Sequence, residues 1–314
     1  MRVVFMGTPE FARPSLQHLH DSSHEVVAVV TGHDKPVGRG GRSRGRILFQ
    51  PAIEQLAVDL GYPVLQPERL KDEAFQSQLA GLSIDLLVVV AFRILPRSVL
   101  AVPVRGAVNL HPSLLPRYRG AAPIQHCLLA GDTVTGVSTT MMTMDIDAGG
   151  ILLQRQHPIR SDDDFGTLSQ QLAQLGAELL TETLDKMESG ELTPLPQVAV
   201  SPGDQPRAPK ITPDDLLIRW ERPAHAIVNQ IRAFSPKPGA ATFWNGQRLK
   251  LFGAKAADGE GEPGVVQGVS QGRLVIGTAD GRLEAAEIQI EGRRRMSIEA
   301  FLRGADLQPG MALG

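Results

Sequence analysis

The run LLVVVA, residues 86–91, decides the fold class. A strand with one wet face alternates apolar and polar residues, whereas six apolar residues in succession must be covered on both faces. Such a run, rich in valine, is the mark of a central parallel strand inside an α/β sheet. Working outward, apolar runs bounded by turn residues recur at Arg2–Met6, Glu25–Thr31, Ile84–Ala91 and Gly106–Leu110. Helical spacing lies between them at Phe11–His20, Ala52–Leu60 and Ala74–Leu79. Strands alternating with helices predict a mostly parallel sheet with helices on both faces. Met141–Gln156 offers further strand material, and Leu168–Met187 repeats apolar residues at helical spacing.

The composition changes at Thr193–Pro213, where six prolines in 21 positions deny regular hydrogen bonding and favour an extended path. We place a first domain at 1–192, a proline-rich linker at 193–209 and a second domain at 210–314. In the second, Pro223–Phe234 reads as a helix. The runs ATFW, RLKLFGA, GVVQGV, RLVIGTA and GRLEAAEIQIEG then alternate with glycines at the spacing of a small antiparallel barrel.

At 314 residues, two domains are the natural expectation. Hydrophobic content of 42% with 21% charged residues is that of a globular protein with real cores. A single cysteine, Cys127, permits no internal disulfide and no CxxC metal site, which points to a reducing cytoplasm. The N-terminal MRVVFMGTPEF reads as a first strand and not as a signal peptide, and no apolar run is long enough to span a membrane. The formal net charge is −2, so a nucleic-acid partner would have to be held by a local basic patch.

The candidate chemistry follows the fourth strand, in NLHPSLLPRYRGAAP, residues 109–123. Asn109 and His111 are two apart in extended chain and so project to the same side. They stand at the carboxyl end of the sheet, where open α/β sheets bind ligands. Asp147, followed by Ala-Gly-Gly, supplies a carboxylate, with Asp145 as the competing choice. An amide, an imidazole and a carboxylate suit acyl transfer to an amine: an oxyanion donor, a proton carrier and a group that orients and charges the carrier.

NLHPSLLPRYRGAAPIQ together with GVSTTMMTMDIDAGGIL resembles the signature of the folate-dependent formyltransferases. The leading MGTPEFA, the loop DKPVGRG at 34–40, PKITPDDLLIRW and IRAFSPKPGA at 231–240 are similar to the branch that acts on methionyl initiator tRNA. The resemblance runs from residue 2 to about 255. It implies a Rossmann-like formyltransferase domain followed by a small β-barrel of the oligonucleotide-binding (OB) type. It carries the catalytic roles onto Asn109, His111 and Asp147, with the oxyanion stabilised by Asn109 and protonated His111, and with no metal. The implied donor is 10-formyltetrahydrofolate, lying against Phe92, Arg93, Ile94 and Leu95 and the turn Ser113, Leu114, Leu115 and Pro116. Where many members have Ala-Tyr-Gly, this chain has Ala91-Phe92-Arg93, and the Thr usual after the catalytic Asp is absent. The implied protein is a cytoplasmic monomer.

HDKPVGRGGRSRGR, residues 33–46, carries Lys35, Arg39, Arg42, Arg44 and Arg46 with no acid between Asp34 and Glu54. A charge run of this kind is by itself a solvated loop; the resemblance makes it a tRNA-contacting arm, with Lys210 as a further contact. Arg232, Lys237, Arg248, Lys250 and Arg293–Arg295 are dispersed cations that serve solubility equally well. Trp220 and Trp244 read as core. Gly41-Arg42-Ser43-Arg44-Gly45 matches a serine-hydrolase elbow, but no strand directly precedes it. Gly7 stands without the rest of a dinucleotide-binding glycine motif. Two rivals remain: a formyltransferase acting on a small amine such as an amino sugar nucleotide, and an RNA-binding module whose trio is vestigial.

Overall fold

The computed structural model describes residues 1–32, 52–197 and 205–314, together with the backbone of the short paired strands Lys35–Pro36 and Leu48–Phe49. The described chain divides into two compact units. One comprises Met1–Gly120, Thr135–His157 and Ser169–Pro206; the other comprises Ala121–Val134, Pro158–Leu168 and Arg207–Gly314.

The first unit is built on a seven-stranded sheet in the order Ile151–Pro158, Val134–Met141, Ala107–His111, Leu86–Val90, Arg2–Gly7, Glu25–Val30, Val64–Leu65. The strands from Ala107–His111 to Val64–Leu65 pair in parallel. Ala107–His111 pairs antiparallel with Val134–Met141. Leu86–Val90 is buried at every position, as its unbroken apolar sequence requires. Burying each of its leucines stabilises the fold by roughly 1.5–3 kcal/mol. Chain order reverses between Arg2–Gly7 and Leu86–Val90, and at such a switch point a crevice opens beyond the carboxyl ends of the strands.

The helix expected from Phe11 to His20 is a 3-10 turn, Glu10–Ala12, followed by an α-helix, Arg13–His20. Pro14 sits in the first turn of that helix, where its missing N–H costs nothing. Gly7 serves packing: a Cβ there would lie 2.8 Å from the Phe5 ring and 2.9 Å from Ala12. The helix Phe165–Glu188 is longer at both ends than its apolar repeat. Pro123–Ala130 forms a two-turn helix with no strong periodic signal, closed by Gly131 at φ 75°.

The second unit holds two four-stranded antiparallel sheets. One orders Ala240–Trp244, Gln247–Phe252, Glu287–Ile290 and Met296–Ser297; the other orders Lys255–Ala257, Arg282–Ala285, Arg273–Gly277 and Val266–Ser270. The helix Ala224–Phe234 lays Ile227, Ile231 and Phe234 into this core at helical spacing. Trp220 is buried there and its indole N–H donates to the Thr242 hydroxyl at 3.1 Å. Trp244 is half-buried, edge-on to Phe301 with ring centroids 5.5 Å apart. Among the described residues, no helix is long and apolar enough to cross a membrane.

Candidate active site

Alternation along Ala107–His111 sends Leu110 to one face of the sheet and Asn109 with His111 to the other. Leu110 meets the helix Phe165–Glu188 at Gly176, where a Cβ would lie 2.7 Å from a Leu110 methyl. His111 is only 4% exposed. Its Nε2 lies 3.0 Å from the backbone carbonyl oxygen of Tyr118. A carbonyl can only accept, so Nε2 carries the hydrogen and the lone pair is left on Nδ1. Nδ1 lies 3.7 Å from Asp147 Oδ1, a charge contact too long for a direct hydrogen bond.

Burial pulls the His111 pKa below its ordinary value, against the opposing pulls of the Asp147 carboxylate and the Tyr118 carbonyl. The resting ring is therefore neutral at physiological pH, and the protonated form implied by the resemblance is reached only when Nδ1 has taken a proton. Asn109 is half-buried, and among the described residues no hydrogen bond engages its side-chain amide. Its donor is available to a ligand.

Asp147 lies in the turn between Val134–Met141 and Ile151–Pro158. Its φ of 51° is left-handed, a conformation costly outside glycine and held here by its surroundings. The Gly120 N–H donates to Asp147 Oδ2 at 3.0 Å, which leaves Oδ1 turned toward the imidazole. Gly149 has no room for a side chain, because a Cβ would sit 1.6 Å from the Met141 carbonyl oxygen. Asp145 is exposed, and its backbone carbonyl accepts from the Thr143 hydroxyl and the Ala148 N–H. The carboxylate that faces the imidazole is that of Asp147.

A buried polar network holds the turn after His111. The Ser138 hydroxyl donates to the Ser113 carbonyl at 2.6 Å and accepts from the Leu115 N–H at 3.1 Å. Gln154 donates to the Leu115 carbonyl and to the Ser138 hydroxyl, both at 2.8 Å. Ser113 itself donates to the Arg117 carbonyl at 2.7 Å. The turn Ser113–Pro116 therefore spends much of its backbone inside the protein. In the other segment that the resemblance implies for the donor, Leu95 is buried in the core and Phe92 packs against that core. Arg93 is turned away onto the carbonyls of Pro67 and Glu68. Ile94 is 71% exposed. Among the described residues, the backbone of Phe92–Leu95 enters no strand, helix or turn hydrogen bond. Free amide edges beside an apolar side chain fit a flat heteroaromatic ring with its own donors and acceptors.

Arg39, Arg42, Arg44 and Arg46 lie outside the described residues, and of Lys35 only the backbone is described. Lys210 is exposed. Among the described residues, no group of three His, Cys, Asp or Glu side chains could hold a metal ion. Sequence reasoning passed over Tyr118, Gly120, Ser138, Gln154 and Gln197, all of which hold the trio or its turns. Tyr118, Gly120 and Ser138 lie within the quoted motifs; no spacing rule links Gln154 and Gln197 to residues 109–147.

A formyl transferase family model matches residues 1–184, and a model of the formyl transferase C-terminal domain matches residues 210–306. The methionyl-tRNA formyltransferase of Pelobacter propionicus is 44% identical over 99% of this chain and 96% of its own. The enzymes of the same name from Geobacter sulfurreducens and Moorella thermoacetica are 42% and 43% identical, over 100% of this chain and 97% and 99% of theirs. In fold the chain is similar to HypX from Aquifex aeolicus in complex with tetrahydrofolic acid, at TM-score 0.64 and 20% identity. That match covers 96% of this chain and 47% of HypX, so the chain spans about half of HypX's length. It is also similar in fold to WlaRD, a sugar 3N-formyl transferase, at TM-score 0.67 and 18% identity over 94% and 99% of the two chains. With relatives above 40% identity from end to end and both domain models matched, the chain belongs to the methionyl-tRNA formyltransferase family.

Proposed function

We infer that the protein transfers the formyl group of 10-formyltetrahydrofolate to the α-amino group of methionyl initiator tRNA, the step that prepares it for translation initiation. The observation that carries this reading is the placement of His111, its Nε2 held by the Tyr118 carbonyl and its Nδ1 facing Asp147 at 3.7 Å, beside the unengaged amide of Asn109. The donor supplies a formyl group activated on nitrogen, and the backbone of Phe92–Leu95, outside any strand, helix or turn hydrogen bond among the described residues, would hold its ring with exposed Ile94 beside it.

His111 Nδ1 takes the proton that the attacking α-amine must lose as its nitrogen bonds to the formyl carbon. Asp147, 3.7 Å from Nδ1, stabilises the imidazolium so formed. The Asn109 amide donates to the formyl oxygen as it gains negative charge. His111 then returns the proton to the departing nitrogen as its bond to carbon breaks, and the ring is neutral again. Burial of His111 keeps solvent from exchanging with that proton, and the Tyr118 carbonyl holds the ring in one orientation.

The basic stretch with Lys35, Arg39, Arg42, Arg44 and Arg46 is assigned to tRNA phosphates, with Lys210 as a second contact. Five cations without an intervening acid support that assignment. The antiparallel second unit is assigned as an OB-type barrel, and the protein as a cytoplasmic monomer. Transfer of labelled formyl from 10-formyltetrahydrofolate to charged initiator methionyl-tRNA, with charged elongator methionyl-tRNA beside it, tests the whole reading. Rapid transfer to the initiator alone is expected. Transfer to an amino sugar nucleotide and to neither tRNA would overturn it.

A further inference from the structure

Gln197 lies at the head of the proline-rich connector, outside the trio and the turns that flank it in sequence. Its side-chain amide uses all four of its hydrogen-bonding positions. Nε2 donates to the Asp147 carbonyl at 2.8 Å and to the Gly149 carbonyl at 2.7 Å. Oε1 accepts from Arg119 Nε at 2.9 Å and Nη2 at 2.6 Å. The partners fix the orientation of the amide, since a guanidinium only donates and a carbonyl only accepts. Residue 119 immediately precedes the glycine whose N–H holds Asp147 Oδ2. The amide thus joins the two chain segments that meet at the catalytic carboxylate. No other uncharged side chain of this length offers two donors and an acceptor in one plane. A glutamate would set a negative oxygen against two carbonyl oxygens, and an asparagine is one methylene too short to reach both sides.

The next described part of the connector acts on the other nitrogen of the imidazole. The Tyr118 N–H donates to the Pro206 carbonyl at 2.6 Å, and the Tyr118 carbonyl is the partner of His111 Nε2. Tyr118 has a φ of 60° and Asp147 a φ of 51°, so both partners of the imidazole sit in left-handed backbone that neighbours must hold. Leu195 adds a backbone pair with Ile151, 2.8 Å in each direction, which anchors the connector beside Gln197.

We propose that Gln197 is a positioning residue for formyl transfer: its amide clamps the Asp147–Gly149 turn to Arg119 and so keeps the Asp147 carboxylate facing His111. The inference rests on the reaction proposed above, and two measurements separate its failure from failure of that reading. The first needs no substrate: histidine-labelled protein is titrated by NMR. In Gln197→Ala the His111 resonance is expected to titrate at lower pH than in wild type, because the carboxylate that raises its pKa is no longer held against it. The second is a kinetic cycle with formyl donor and charged initiator tRNA. Gln197→Ala is expected to lower kcat roughly 10-fold or more with little change in either KM, the scale on which outer partners of a site act. Added to Asp147→Asn it is expected to cost nothing further, since the group it orients is already gone. An unshifted His111 titration, or equal losses in the wild-type and Asp147→Asn backgrounds, would overturn the proposal. Thermal unfolding reports whether the variant folds; if Gln197→Ala does not, Gln197→Asn keeps the polarity, lacks the reach, and is read by the same two outcomes.

Discussion

The two nitrogens of His111 are held by unlike partners, and that asymmetry has consequences for pH. Nε2–H is committed to the Tyr118 carbonyl, so the proposed proton transfer would fall to Nδ1. Because burial lowers the His111 pKa from its ordinary 6.5, the base form persists below that pH. The acidic limb of kcat/KM is therefore expected below pH 6.5. Asp147 raises the pKa, so Asp147→Asn should move the limb to still lower pH while cutting the plateau by ~10²-fold. A limb that moves upward in Asp147→Asn would remove the carboxylate's charge from the mechanism. The same titration touches stability. The unfolded chain binds a proton that the native imidazole refuses, so stability is full above about pH 6.5 and falls as pH drops through the lower folded value. Asn109→Ala deletes the proposed oxyanion donor and is expected to lower kcat by roughly 10²–10³-fold with the tRNA KM unchanged. A rise in KM alone would make Asn109 a binding group instead.

Above the residue, the turn from Met141 to Ile151 is the element on which the site depends. The Met141 N–H closes it on the Gly150 carbonyl at 2.9 Å, and Gly149 passes so near the Met141 carbonyl that a methyl group would overlap it. Backbone on both sides cannot yield as a flexible side chain would. Gly149→Ala is therefore expected to cost at least about 1–3 kcal/mol in urea unfolding and to abolish most transfer activity. Gly81→Ala, at a helix end with nothing within 4 Å of the new methyl, is the control and should be neutral. A Gly149→Ala protein as stable and active as the control would mean that the turn opens without consequence.

Legibility in the sequence follows the same physical division. Leu86–Val90 was readable because burial on both faces leaves a one-dimensional record, and Asn109 with His111 because a strand's period of two is local. Pro123–Ala130 left no such record: two turns are too short for a periodic signal. Gln197, Ser138 and Gln154 act across distances in sequence that no local period spans, and each is a polar residue whose meaning comes from partners 16 to 78 positions away. The Asp145–Asp147 ambiguity arose because the two carboxylates stand two residues apart in a turn, where no local period decides which one meets a residue 34 or 36 positions earlier. The folded chain separates them: Asp147 sits in a left-handed turn, accepts from the Gly120 N–H and faces His111, whereas Asp145 is exposed.

At the scale of the whole molecule, charge decides how a large polyanion can be bound. With a net charge of −2, the surface as a whole does not attract RNA, and attraction must come from where cations are concentrated. Residues 33–46 hold five of the chain's 32 Lys and Arg residues in a stretch whose only acid is Asp34. Each phosphate that such a side chain neutralises adds ~0.7–0.9 to the slope of log affinity against log salt. Replacing Arg39, Arg42, Arg44 and Arg46 together by glutamine should therefore weaken tRNA binding and flatten that slope by up to about 3.6. Folate binding, proposed for Phe92–Leu95 and the Ser113–Pro116 turn, should be unchanged. If the slope keeps its wild-type value, the phosphate contacts lie elsewhere, and Lys210 with Arg293–Arg295 become the next residues to neutralise. A slope that flattens while selectivity for the initiator survives would separate the two tasks: the basic stretch then supplies affinity blind to sequence, and discrimination belongs to contacts that carry no phosphate term.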